Sequence, residues 1–159
     1  MFGQASLAGS NGCRSPSYPP RHIVPYLEPT EATAIALIAR EIQGPIMMLN
    51  LLRFREIADY SGSPELAPAD LISGAEAYRR YADSTMPHLL ASGGEVVFEG
   101  SGGEHFIGPS HERWDHVLLV KQRSLEDFFS FASNPDYMAG IGHRTAAIED
   151  SRLLPIVEN

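Results

Sequence analysis

Cysteine is all but missing from this sequence. Cys13 stands alone, so no disulfide can form within the chain. No His or Asp cluster surrounds it, and the thiol reads as incidental. Lysine is as scarce: Lys121 is the only one beside eleven arginines, and no run of basic residues forms. With a net charge of −8, that excludes the basic patch nucleic acid or an anionic membrane surface requires. The acidity argues for solubility.

Long apolar runs are missing too. None approaches the ~20 residues that span a bilayer. The N-terminus lacks a basic stretch followed by an apolar one, so no secretory signal is read, and the cytoplasm is the default expectation. No HExxH and no paired cysteine motif occurs. His105, His111 and His116 fall within twelve residues, but at a spacing that puts only the last in a strand. Neither a metal nor a cofactor is expected. The Gly-Gly segments at 92–95 and 101–104 lack the strand–loop–helix context of a phosphate cradle and read as turns.

What the sequence does have is three short runs apolar on both faces: Ile46–Leu52, Val117–Val120 and Leu153–Val157. A half-exposed strand alternates apolar and polar side chains. These runs do not, so something covers each side of the sheet. The helices nearby cover one side; the same sheet of a second subunit is expected on the other. The 159 residues, 43% of them hydrophobic, suit one domain with a real core.

Residues 1–29 are rich in Gly, Ser and Pro and show no periodicity, which predicts a flexible or extended arm. Its Tyr18, Ile23, Val24, Tyr26 and Leu27 could lie across the body or a partner. Residues 30–159 read as a single domain. Thr30 is the expected N-cap of a helix with Ile35, Ile38, Ala39 and Ile42 at helical spacing, stopped by Gly44-Pro45. Strand one is expected at Ile46–Phe54. A long loop with Gly62, Pro64 and Pro68 follows. Ser73 to Glu76 forms a capping box for a helix through about Ala91, with Tyr78, Tyr81, Ala82, Thr85 and Leu89 facing the core and Pro87 loosening its end. Strand two is expected at Glu95–Gly100, then a loop or short hairpin over 104–113, and strand three at Asp115–Gln122. Ser124 caps the next helix, which carries Phe128, Phe129 and Phe131. Asn134-Pro135 restarts a helix lined by Met138, Ile141, Thr145 and Ile148. Strand four closes the chain at Arg152–Val157.

From Gly44 onward this order is β-α-β-β-α-β, the ferredoxin-like arrangement of the α+β class, with both helices on one face of an antiparallel sheet. The other face would be bare in a monomer, and an apolar bare face is an association site. Two such sheets packed together make a barrel-like homodimer with two-fold symmetry.

The stretch YRRYADSTMPHLLASGGEVVFEG, followed by WDHVLLVKQRSLEDFFSFASNPDYMAGIGHRTAAIEDSRLLPI, resembles the domain-of-unknown-function family 1330 of the dimeric α+β barrel superfamily. The Tyr-rich helix, the Gly-Gly before strand two, the Ser-capped helix and the Asn-Pro-Asp-Tyr step match in order over residues 44–157. The first 43 residues and the loop at 58–72 look like additions. The resemblance implies the fold and dimerisation, and no reaction. The wider superfamily includes cofactor-independent monooxygenases, haem-degrading enzymes, muconolactone-type isomerases and polyketide cyclases, which use a cavity between sheet and helices. That is fold analogy.

Each candidate site residue carries two readings. Asn50 interrupts an apolar strand; it either orients a carbonyl or dioxygen, as the strand-one Asn does in similar barrels, or is an amide satisfied across the sheet. Arg53, on the opposite face, either anchors a carboxylate or pairs with the acidic surface. Trp114 is a wall for a flat ligand or a packing anchor, with Asp115 beside it orienting an Arg or His or capping a turn. His143 follows Gly140 and Gly142, whose cost in a helix of roughly 1 kcal/mol each points to close packing or cavity access. Neutral His143 suits a general base. Arg144 binds ligand or pairs with Glu149 or Asp150. Tyr78 and Tyr81, three apart, present hydroxyls to a pocket or pack in the core, and Tyr137 has the same two readings. Two functions follow: a small-molecule enzyme without a tightly bound cofactor, using Asn50, Trp114 and His143, or a non-catalytic dimeric module binding a metabolite or a protein.

Overall fold

The computed structural model describes residues 24–159. Cys13, Tyr18 and Ile23 lie outside the described residues. The elements run α1 (Glu31–Ile38), β1 (Ile46–Phe54), a short 3-10 turn at Pro64–Leu66, α2 (Gly74–Ala91), β2 (Glu95–Ser101), β3 (His116–Gln122), α3 (Leu125–Ala132), α4 (Pro135–Ala139), α5 (Ile141–Ala147) and β4 (Ile148–Ile156). The four strands form one antiparallel sheet in the order β2-β3-β1-β4. That order, with α2 and α3–α5 as the two crossovers, is the ferredoxin-like topology.

Register sorts the side chains into two faces. On the helix side, Leu52 of β1 and Leu118 of β3 join Ala77 of α2, Ala147 of α5 and Ile148 of β4 in the buried core. On the other side, Phe98, Leu119, Leu49 and Leu154 stand in one row across all four strands. Among the described residues no helix covers this row, and its outer members Phe98 and Leu154 are 57% and 56% exposed. The runs at Ile46–Leu52 and Val117–Val120 thus have one face against the helices and one bare, whereas in Leu153–Val157 the helix-side Leu153 is itself 47% exposed.

The caps act as the sequence predicts, with one difference. Thr30 caps α1 through a reciprocal pair with Thr33. Ser73 and Ser124 accept from the backbone N–H groups of Glu76 and Asp127, and Asn134 caps α4 with Pro135 in the first turn. At Ser73 the box is half-made, because the Glu76 carboxylate turns away to Arg79.

Two helices depart from expectation. α1 ends at Ile38, short of Ile42, and Glu41 adopts a positive φ of 47° before Gly44 at 78°. It buries none of its residues, and Ile35 and Ile38 stay 58% and 57% exposed. The last helix breaks at Gly140 into α4 and α5 and ends at Ala147. Ile148 therefore opens β4 rather than lining a helix, while Met138 and Thr145 face water. The helical residues buried are Gly142, Ala146 and Ala147.

The chain before α1 lies along β4. The Tyr26 N–H donates to Asp150 Oδ1 at 2.8 Å, and the Ser151 N–H and hydroxyl both reach the Tyr26 carbonyl. Among the described residues, no helix is long and apolar enough to cross a membrane.

Candidate functional site

Strand register brings polar groups onto the otherwise apolar helix-facing side. One row reads Glu99, Leu118, Asn50, Leu153; the next reads Ser101, His116, Leu52, Ser151. The Asn50 Nδ2 donates to the Met48 carbonyl of its own strand at 3.0 Å. Its Oδ1 has no hydrogen-bond donor among the described residues. Glu99 Oε1 lies 3.1 Å from His116 Nε2, yet off the line of the ring N–H, so this buried nitrogen makes no hydrogen bond.

Over these rows sits a chain of aromatic rings. Tyr78 of α2 packs 5.3 Å from Phe54 and 5.5 Å from His116, measured between ring centroids. Tyr81 follows at 5.4 Å from Tyr78, then Tyr137 at 6.2 Å and Phe131 at 4.5 Å beyond it. The hydroxyls of Tyr81 and Tyr137 meet at 3.1 Å. Burial, with the neighbouring Tyr81 reinforcing it, pushes the Tyr78 and Tyr137 phenols far above their ordinary range, and Arg144 opposes the rise at both. Both stay protonated at any physiological pH and act as neutral hydrogen-bonding groups.

The remaining sequence candidates sit elsewhere. Arg53 is on the bare side, its Nε 3.0 Å from Glu149 and its Nη2 4.0 Å from Asp150. Trp114 is buried, and the Arg152 guanidinium lies over its ring at 4.9 Å and over Tyr26 at 4.7 Å. Register puts Arg152 beside Leu51, on the face opposite Asn50, so Trp114 does not wall a pocket with Asn50. Arg144 donates to the Leu27 carbonyl at 2.9 Å and pairs with neither Glu149 nor Asp150, which Arg53 and Arg152 occupy. His143 accepts from or donates to the Tyr60 hydroxyl at 2.8 Å through Nδ1. The trio Asn50, Trp114 and His143 is therefore split three ways.

The structure adds residues that sequence reasoning passed over as ligand-facing groups. His116 was legible, because it shares strand parity with Leu118 and Val120. Tyr60 was not, since its partner lies 83 residues away. Two depressions among the described residues bear on the candidates. One, of about 240 Å³, lies within the loop at 58–72 and is lined by Tyr60 and mostly apolar residues. The other, of about 370 Å³, is lined by Phe54, Arg55, Glu56, Ile57, Arg113 and Glu149. Neither is lined by Asn50 or Tyr78. No group of metal-ligating side chains comes together among the described residues.

Topology and core define the class, a ferredoxin-like α+β protein with one helix-covered and one bare sheet face. The chain belongs to the family of the RPA0582 protein of Rhodopseudomonas palustris, a protein of unknown function. It is 36% identical to the crystal structure of that protein, with a TM-score of 0.72 over 84% of this chain and 96% of that one. Against the methylated RPA0582 protein the identity is 35% and the TM-score 0.76, over 85% and 96%. A slighter likeness, 14% identity and a TM-score of 0.44 over 72% of this chain and 96% of the other, is to a dimeric protein of unknown function and ferredoxin-like fold from Bacteroides fragilis. No family model and no curated protein matches the chain.

Proposed function

We propose that this protein is a small-molecule-binding module, a homodimer as the family 1330 resemblance implies, taking a planar hydroxylated aromatic ligand on the helix-facing side of its sheet. The observation that carries this reading is Asn50. Its Oδ1 is an acceptor without a protein donor among the described residues, flanked in its row by Leu118 and Leu153, one row from the aromatic chain led by Tyr78. An acceptor left open there suits a ligand hydroxyl. The neutral phenols and Arg144 supply further polar contacts, and the rings supply stacking surface.

Dimerisation rests on the bare face. The row Phe98, Leu119, Leu49, Leu154 is apolar on every strand. Fully burying one such side chain is worth ~1.5–3 kcal/mol.

One observation favours an enzyme, cofactor-independent and monooxygenase- or isomerase-like: the same open Asn50 oxygen could orient a reacting hydroxyl. Binding needs only that contact, whereas catalysis needs a proton acceptor beside it, and His143 is engaged by Tyr60 instead.

The test is thermal unfolding against a panel of naphthols and hydroxyquinones. A ligand at a hundred times its Kd adds about 2.7 kcal/mol of stability, and Asn50→Ala should abolish the shift. A panel that never moves the Tm, or a shift untouched by Asn50→Ala, removes the site.

A further inference from the structure

We propose that the end of β1 carries a second ligand site, a hollow that takes a free amino acid with an apolar side chain. The ligand's carboxylate would sit on Arg55, its ammonium on Glu56 and its side chain against Phe54 and Ile57. This site does not rest on the sheet-side reading above, with which it shares only Phe54.

The hollow measures about 370 Å³, within the ~300–1,000 Å³ typical of small-molecule sites. Its frame is fixed by backbone. The Phe54 N–H donates to Asp115 Oδ2 at 2.8 Å. The Arg55 N–H donates to the Ala147 carbonyl at 2.9 Å, and the Arg55 carbonyl accepts from the Gly74 N–H at 3.1 Å. Position 74 has to be glycine for this, since a Cβ there would strike both the Arg55 and the Ala147 carbonyls. Arg55 is thus pinned between the start of α2 and the end of α5. Backbone fixed before a ligand arrives lowers the cost of binding it.

Four charged residues line the hollow: Arg55, Glu56, Arg113 and Glu149. Two of them are engaged. Arg113 pairs with Asp115 at 3.1 Å, and Glu149 with Arg53 at 3.0 Å. Among the described residues no ion pair engages Arg55 or Glu56, and the buried Arg55 Nε has no hydrogen-bond partner. Adjacent in sequence and opposite in charge, the two do not pair with each other. A buried donor without an acceptor calls for an explanation. A carboxylate laid side-on against a guanidinium accepts from Nε and one Nη together. A carboxylic acid alone would meet like charge at Glu56, whereas a ligand that also carries an ammonium turns Glu56 into a second anchor. An amino acid holds both charges on one carbon. Phe54 and Ile57 supply the apolar wall, and Ile57 is 54% exposed, a surface that an apolar ligand side chain would cover.

L-Phenylalanine is the probe. N-acetyl-L-phenylalanine lacks its ammonium charge and L-phenylalanine amide its carboxylate. Titrations are followed by heteronuclear NMR at the backbone amides of residues 55–57. Phenylalanine should shift these signals and saturate with a Kd on the order of 1 mM. Each blocked derivative should bind about tenfold more weakly or worse. Arg55→Gln and Glu56→Gln should each weaken phenylalanine about fivefold or more. Glu56 is exposed, so Glu56→Gln and the two derivatives decide the matter even if Arg55→Gln disturbs the fold. No saturable shift at residues 55–57 overturns the proposal. So does a blocked derivative that binds as well as phenylalanine, or phenylalanine binding that ignores Glu56→Gln.

Discussion

Ser63 and Gly142 pack so closely that a single methyl would not fit between them: a Cβ on Gly142 would stand 2.5 Å from Ser63 Oγ and 2.7 Å from Leu66 Cδ1. Gly142→Ala should therefore lift the loop off α5. Overpacking of this kind costs typically 1–3 kcal/mol, about what a buried strain without a cavity produces. The check is the urea midpoint, with the Tyr60 resonance read alongside. An unchanged midpoint would mean the loop does not rest on α5.

His143 should make stability depend on pH near neutrality. Its folded-state pKa lies below the ordinary 6.5, through burial first and Arg80 second. The unfolded chain then binds the proton more readily, so stability is complete above that value and declines as pH falls below it. His143→Gln should flatten the curve of unfolding free energy between about pH 5 and 7. A wild-type profile that rises on acidification would refute the sign.

Asp150 is 2% exposed. Its Oδ1 accepts from the Tyr26 and Ser151 N–H groups and from Arg152 Nη1 at 2.7 Å. Asp150→Ala would leave Arg152 without its closest carboxylate and should cost about 3–5 kcal/mol. Chemical denaturation measures it. A loss below 1 kcal/mol would show that the acid contributes no more than a surface pair.

Leu154→Glu places a charge in the bare apolar row. If that row joins two subunits, the dimer should weaken at least a hundredfold, since an unpaired charge buried at an interface costs several kcal/mol. Sedimentation velocity at graded concentration decides. A dimer unmoved by the substitution would place the interface elsewhere.

The sheet was legible because strand patterning is local: Ile46–Leu52 announces β1, whereas the register between strands is set by pairings the pattern does not encode. The caps at Thr30, Ser73, Ser124 and Asn134 were legible for the same reason. Ile148 was not, because it stands at helical spacing from Ile141 and Thr145, and only its pairing with Phe54 across the sheet makes it a strand residue. Gly140 and Gly142 correctly signalled close approach, but not that the approaching chain is the loop at Ser63. Site residues fared worse. Parity places Asn50 and Arg53 on opposite faces, whereas the partners of Trp114, His143 and Arg144 are Arg152, Tyr60 and Leu27, each from a segment distant in sequence. Such pairings are decided by packing, and no local pattern encodes them.

A sheet has two margins where a foreign strand could attach. Here the β4 margin is occupied at Ser151 by the chain's own residues around Tyr26. The β2 margin carries Glu95 and Glu99 and is bent by the register shift between Val96 and Phe98. Charge and a bulge are the usual protections of an unguarded strand. The short extended stretch ahead of α1 therefore serves as a selvedge at the Ser151 end of β4, and the sheet's broad apolar face is the surface left for the dimer proposed above.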